Sequence, residues 1–122
     1  MNERFLNEVW THVTTSLYAV EDWAYVDSRG DGGNIIEVRE HNLESDGVPG
    51  EPFFMNRHDL EKDLRAMFDI AVERIWNGSG SYYQDWGNLF VAGIAMQDVG
   101  EWDDETVNVF VQLSTLGEIV YG

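Results

Sequence analysis

The chain has 122 residues and a formal net charge of −16, with 23 acidic residues against seven lysines and arginines. The length fits one domain, and a hydrophobic fraction of 43% is typical of a globular protein rather than a disordered one. Nucleic acids and anionic membranes are recognised through cationic contacts, so this charge argues against both as direct partners. The chain has no cysteine, which excludes disulfides and thiolate chemistry.

The sequence gives no indication of membrane insertion or export. Its longest apolar run, "LFVAGIAM" at residues 89–96, is far shorter than the ~18 residues of a membrane-spanning helix. The N-terminus "MNERFLNEVW" lacks the basic region and apolar block of a secretion signal. We therefore expect a single acidic domain over residues 1–122, located in the cytoplasm (the host cytoplasm if a phage encodes it).

The first half of the chain predicts a helix followed by a hairpin. Apolar side chains recur at a spacing of three and four over residues 3–20, which indicates an amphipathic helix with Asn2 as its N-cap. Residues 23–26 and 35–39 are predicted to be antiparallel strands, joined by the glycine-rich turn "SRGDGG". Residues 42–52 contain both prolines and are predicted to be a loop.

The second half predicts a helix followed by another hairpin. The helix covers residues 57–76, with Asn56 as its cap and Gly78 just beyond its end. Residues 88–98 are apolar on both faces, which favours a central strand. Residues 106–114 alternate in the manner of a partner strand, although Phe110 points opposite to the valines beside it, and residues 117–122 suggest a further short strand.

The predicted fold is therefore α+β, in the order α-β-β-α-β-β. It consists of an antiparallel sheet of about four strands from two hairpins, with two amphipathic helices packed on one face. Residues 21–51 and residues 77–122 each carry a net charge of −7, whereas the two predicted helical regions carry −1 each. The sequence thus places the surplus of carboxylates on the hairpins and their loops.

No motif supports a metal, a cofactor or a catalytic centre. Residues 27–38 resemble a calcium-binding loop at three positions, but Arg29 and Val38 stand where two of the ligands belong. The three histidines lack ligand spacing. The glycines of "NGSGS" at residues 77–81 follow a predicted helix rather than a strand, which indicates a helix end and not a phosphate-binding loop. We therefore expect no catalytic residues, no metal and no cofactor.

The stretch "VGEWDDETVNVFVQ" at residues 99–112 carries the densest group of acids in the chain. Closely spaced carboxylates complement a groove rich in lysine and arginine, and tryptophan is enriched among the residues that dominate binding energy. Tryptophans are more often core residues, and of the three that stand beside acids Trp102 is the one we most expect to be exposed, because it lies in the middle of a turn between charged neighbours. The predicted partner-binding residues are Glu101, Trp102, Asp103, Asp104 and Glu105, supported by Asp98, Asp27 and Asp31.

In type, though not by any motif, the chain resembles small acidic proteins of phages and mobile elements, such as inhibitors of restriction or CRISPR systems and immunity proteins against nuclease toxins. The leading hypothesis is a non-enzymatic inhibitor, monomeric or homodimeric. It binds the basic surface of a nucleic-acid-processing protein as a mimic of the nucleic acid. The main alternative is an oligomeric component of a phage head or tail. A small enzyme and a domain adapted to high salt are the other two interpretations.

Overall fold

The computed structural model of the chain describes residues 1–29, 33–41, 50–78 and 85–121. Two short 3-10 helices lie at Leu17–Val20 and Arg57–Asp59. The longer elements, in chain order, are α1 (Glu3–Thr15), β1 (Ala24–Arg29), β2 (Ile35–Glu40), β3 (Phe53–Asn56), α2 (Leu60–Trp76), α3 (Trp86–Met96) and α4 (Asp104–Thr115). The fold is therefore α+β in the order α-β-β-β-α-α-α, and the predicted order α-β-β-α-β-β is wrong.

The first helix forms as its sequence indicates but is shorter than predicted. The side chain of Asn2 accepts a hydrogen bond from the backbone N–H of Phe5 at 2.8 Å, which caps the helix. The hydroxyls of Thr14 and Thr15 bond back to the carbonyl of Thr11. Threonine is unfavourable in the interior of a helix because its β-branched side chain is restricted there. α1 therefore ends at Thr15, and the chain continues as the 3-10 helix Leu17–Val20.

The predicted first hairpin is confirmed, but the sheet contains a strand that the sequence reasoning missed. β1 pairs with β2 in antiparallel register, with Val26 opposite Val38. β2 also pairs with β3, which places Met55 opposite Ile36 in the core. The described part of the chain forms three strands in the order β1-β2-β3 rather than about four. Most of the loop predicted at residues 42–52 lies outside the described residues.

The second helix is confirmed, with a 3-10 turn at its start. The side chain of Asn56 accepts a hydrogen bond from the backbone N–H of His58 at 2.9 Å, so this residue caps the 3-10 turn that leads into α2. Gly78 follows the helix with a φ of 77°, a left-handed conformation that glycine adopts without steric cost. The inward face of α2 buries Leu60, Leu64, Met67 and Ala71.

Both strands predicted in the second half are helices. A continuous apolar run is compatible with a buried strand or a buried helix, and in α3 the side chain of Asp85 caps the backbone N–H of Gly87 at 2.9 Å. In α4 the valines alternate as in a strand, but the sequence also has a helical period. Val107, Phe110 and Val111 are three and four residues apart and lie on the buried face of the helix. Phe110, which breaks the alternation, is the residue that fits the helix.

The segment after α4 is held by a side chain rather than by a neighbouring strand. The amide of the fully buried Gln112 accepts hydrogen bonds from the backbone N–H groups of Val120 and Tyr121 at 2.7 and 2.8 Å, and donates one to the carbonyl of Tyr121 at 2.9 Å. The ring of Tyr121 stacks on that of Trp23, with centroids 4.9 Å apart. The short strand expected in this segment does not form within the described residues.

The core lies between α1, the inner face of the sheet and the three later helices. The largest side chains that are almost fully enclosed include Phe5, Phe90, Ile36, Leu64 and Met67. None of the helices in the described part of the chain is long and apolar enough to cross a bilayer. Four of the five tryptophans are buried, whereas Trp76, at the end of α2, is 87% exposed.

Candidate protein-interaction surface

Five of the predicted residues lie together where the chain passes from α3 into α4. The connection carries Asp98 and Glu101, and the start of α4 carries Asp103, Asp104 and Glu105. We call these five carboxylates the acidic corner, and each of the five residues is exposed. The stretch at residues 99–112 therefore contains a helix N-terminus and not the turn of a hairpin.

Two acids of the corner have structural roles. Oδ1 of Asp103 accepts hydrogen bonds from the backbone N–H and the hydroxyl of Thr106, both at 3.0 Å, so Asp103 is the N-cap of α4. Oδ1 of Asp98 accepts from the backbone N–H of Gly100 at 2.8 Å and holds the connection in a turn. Negative charge at a helix N-terminus is favourable because it opposes the positive end of the helix dipole. Part of the acid cluster is thus explained by folding alone.

A second segment joins the corner from a distant part of the sequence. The hydroxyl of Tyr18 donates a hydrogen bond to Oδ1 of Asp104 at 2.8 Å, and Nε1 of Trp23 donates to Oδ1 of Asn108 at 2.8 Å. The residues between Tyr18 and Trp23 therefore run beside the first turns of α4. They include Glu21 and Asp22, both of which are exposed.

Glu21 and Asp22 are not among the partner-binding residues predicted from the sequence, although Asp22 lies next to a tryptophan in the manner of the acids beside Trp102. Nothing in the local sequence "YAVEDW" indicates that this segment packs against α4. Tyr18 and Asp104 are 86 residues apart in the chain. The hydrogen bond to Asp104 and the negative charge of its carboxylate raise the pKa of Tyr18 above its ordinary value.

Trp102 is buried, and the expectation that it is exposed is wrong. Its ring is 7% exposed, stacks on Phe90 with centroids 5.1 Å apart and meets the edge of Phe5 at 6.1 Å. Its Nε1 donates a hydrogen bond to the carbonyl of Leu89 at 2.9 Å. The carboxylates around it in the sequence point to solvent, while Trp102 fixes the corner to the core. Its predicted role as a contact residue has no exposed surface to support it.

The two remaining predicted residues are not part of the corner. Asp27 lies on the edge strand β1, where Arg29 forms a salt bridge to it at 3.1 Å and so offsets its charge. Asp31 lies outside the described residues. The two acidic hairpins that the sequence suggested do not share a sheet, because the second of them is a pair of helices.

The arginines of the protein neutralise other acids and leave the corner uncompensated. All six arginines form salt bridges, with partners Glu3, Glu8, Asp27, Glu37, Glu61 and Asp85. Among the salt bridges of the described residues, none involves a carboxylate of the acidic corner. The pKa of Arg74 is raised mainly by its hydrogen bonds to Asp85. The negative charge of Glu105 raises the pKa of Arg74 further, but Glu105 forms no salt bridge with it.

A cleft between the start of α1 and the start of α2 lies elsewhere and does not form a comparable site. It measures about 540 Å³ and is polar, with Arg57 beside the asparagines Asn7, Asn34 and Asn56. The guanidinium of Arg57 already donates to Glu3 at 2.6 Å and to Asn7 at 2.9 Å. In the ranges that the structure describes, no group of three or more histidine, aspartate or glutamate side chains is arranged to hold a metal ion.

The acidic corner is therefore the best-defined candidate surface in the described part of the chain. It combines a fixed backbone, exposed carboxylates and, among the described residues, no salt bridge to a cation. Comparison of the chain with protein-family models, with curated proteins and with solved structures gave no match.

Proposed function

We propose that the protein is a non-enzymatic inhibitor that binds the basic surface of a nucleic-acid-processing protein through its acidic corner. The observation that carries the proposal is the uncompensated charge of the corner, in a protein whose arginines all pair with other acids. A groove that binds nucleic acid gains its affinity from lysines and arginines that meet phosphates. A rigid group of carboxylates presents to such a groove negative charges like those of the phosphates.

The fixed geometry of the corner supports recognition rather than mere solubility. Charges that serve only solubility need no defined position, and long exposed side chains lose entropy when a partner orders them. Here the cap on Thr106, the bond from Tyr18 and the burial of Trp102 hold the backbone of the corner in place before any partner arrives. Preorganisation of this kind lowers the entropic cost of binding.

The test begins with affinity capture from the native host at about 0.1 M and about 1 M salt, where the Debye lengths are ~10 Å and ~3 Å. We expect a nuclease or another nucleic-acid-binding protein to be retained at the lower salt only and to be displaced by added DNA. Its association rate with the purified chain is then measured for wild type and for the double variant Glu101→Lys/Glu105→Lys. This variant should associate at least about tenfold more slowly, since electrostatic steering is lost.

The choice of variant follows from the structure. Reversal of Asp103 would remove the cap of α4, so a loss of binding could reflect unfolding of the first turn. The matched control is Asp69→Lys/Glu73→Lys on the exposed side of α2, which changes the net charge by the same amount. Equal slowing by both double variants would show that only net charge matters and would contradict a specific corner. Retention of virion proteins alone, unaffected by salt, would favour the oligomeric phage component instead.

A further inference from the structure

The cleft between the start of α1 and the start of α2 has the size of a small-molecule site rather than the shape of a protein-interaction surface. Its volume of about 540 Å³ lies within the range of roughly 300–1,000 Å³ that is typical of ligand-binding clefts. Four parts of the chain line it: the first turns of α1, the residue before β2, the end of β3 and the segment that leads into α2. Leu6 is the one apolar side chain among its described lining residues.

Two asparagines of the cleft use their side-chain oxygens inside the protein and keep their N–H groups for a ligand. The oxygen of Asn56 accepts a hydrogen bond from the backbone N–H of His58 at 2.9 Å. The oxygen of Asn7 accepts one from Nη2 of Arg57, also at 2.9 Å. Neither Nδ2 group donates to any of the described residues. A carboxamide that is held by its oxygen is a preorganised hydrogen-bond donor.

The carboxylates of the cleft supply hydrogen-bond acceptors beside these donors. Oε1 of Glu3 accepts from Nη2 of Arg57 at 2.6 Å, and Oε1 of Glu61 accepts from the N-terminal ammonium group at 2.8 Å and from Arg65 at 3.3 Å. In the ranges that the structure describes, Oε2 of each carboxylate accepts no hydrogen bond. Because each of the two acids is paired with a cation, the cleft has little net charge of its own.

We propose that this cleft binds a neutral ligand rich in hydroxyl groups, namely one monosaccharide unit. A molecule of net charge −16 repels an anionic ligand, and a cationic ligand would place its charge beside Arg57. An apolar ligand would take the polar lining out of water without replacing the hydrogen bonds lost. A hydroxyl group both donates and accepts, so neighbouring hydroxyls of a sugar fit carboxylate oxygens and amide N–H groups that lie in one cleft.

The test is a titration of the full chain, labelled with ¹⁵N, with glucose, galactose, mannose and N-acetylglucosamine, each to about 50 mM, while NMR follows the backbone amides. We expect at least one of the four sugars to cause saturable shifts at Asn7, Arg57 and His58. A ligand this small makes few contacts, so the dissociation constant should be about 1–10 mM. The acidic corner contributes no residue to this cleft, so its amide signals should not move and the two proposals can fail independently.

The variant Asn56→Asp separates ligand binding from helix capping. It removes the N–H donor but keeps the acceptor for the backbone N–H of His58, and aspartate and asparagine cap helices about equally well. It should raise the dissociation constant of the bound sugar at least about tenfold. The matched control Asn2→Asp makes the same change at the cap of α1, outside the cleft lining, and should leave that constant within about twofold of wild type.

Three results would overturn the proposal. The first is the absence of saturable shifts with all four sugars. The second is a set of shifts scattered over the surface instead of concentrated at the cleft. The third is an equal effect of Asn56→Asp and Asn2→Asp on the dissociation constant, which would mean that the N–H group of Asn56 takes no part in binding.

Discussion

The N-termini of α3 and α4 are capped in the same way but lie in opposite electrostatic surroundings. Each has an aspartate N-cap next to a buried tryptophan, Asp85 with Trp86 and Asp103 with Trp102. The carboxylate of Asp85 is neutralised by two hydrogen bonds from Arg74 at 3.2 and 3.0 Å, whereas that of Asp103 stands with further acids and has no cation partner among the described residues. Helix capping therefore explains one carboxylate at each N-terminus but not the uncompensated surplus at the start of α4.

Gly93 packs against the connection between α3 and α4, and its substitution should have the largest effect. A Cβ built on Gly93 would lie 2.2 Å from Nε1 of Trp102 and 2.8 Å from the carbonyl oxygen of Asp98. Gly93→Ala would therefore displace the ring of Trp102 and the backbone of the acidic corner together. We expect a loss of about 3 kcal/mol in the free energy of unfolding, measured by urea denaturation.

The control for this substitution is Gly50→Ala, because a Cβ on Gly50 comes no closer than 3.5 Å to any atom outside its chain neighbours. We expect it to change the free energy of unfolding by less than about 0.5 kcal/mol. If Gly93→Ala proves as mild as the control, close packing of α3 against Trp102 does not contribute to the stability of the fold.

Substitutions at the start of α4 should separate capping from recognition. Asp103→Ala removes the acceptor of two hydrogen bonds from Thr106 and should cost about 1–2 kcal/mol in the free energy of unfolding. Asp103→Asn keeps an acceptor and should restore most of that loss. Glu105→Ala should cost less than about 0.5 kcal/mol, since the side chain is exposed. Thermal or chemical denaturation of the three variants gives the comparison, and equal losses for Asp103→Ala and Glu105→Ala would contradict the capping role.

The smallest expected change in the free energy of unfolding comes from removing the charge of Asp85 at the start of α3, and this change depends on pH. The hydrogen bonds from Arg74 hold the pKa of Asp85 below its ordinary value. A depressed pKa in the folded state stabilises the protein above the unfolded-state value of about 4, and this stabilisation is lost as pH falls through the folded-state pKa. Asp85→Asn preserves a capping acceptor but removes the charge, and should cost about 0.5–1 kcal/mol at neutral pH.

Below about pH 4 the difference between wild type and Asp85→Asn should shrink, because the carboxyl group of the wild type takes up a proton. Denaturation curves collected from neutral to acidic pH give the measurement. A difference that stays constant over that range would mean that the ion pair with Arg74 contributes nothing to stability.

The first half of the fold could be predicted because periodicity and capping residues agree there. Asn2 and Asn56 both act as caps, and the strands of the first hairpin pair as expected. β3 was missed because its four residues follow a proline-containing segment and offer too short a pattern for a strand. Its place in the sheet depends on pairing with β2, which no local feature of the sequence specifies.

The second half was predicted wrongly for two different physical reasons. An apolar run such as that of α3 carries no period, so only its length and its cap at Asp85 favour a helix. In α4 the β-branched valines favour a strand, and packing of Val107, Phe110 and Val111 overrides that preference. The positions of the acids were visible in the sequence, but the burial of Trp102 and the bond from Tyr18 depend on tertiary packing.

The exposure of Trp76 has an optical consequence. An indole in water emits at longer wavelength than one in an apolar core, and a soluble quencher reaches it first. Since Trp10, Trp23, Trp86 and Trp102 are at most 8% exposed and Trp76 is 87% exposed, acrylamide should remove the red edge of the emission and leave the blue edge. The quenched fraction then reports on the end of α2, while the protected fraction reports on the core, in one spectrum and without a label.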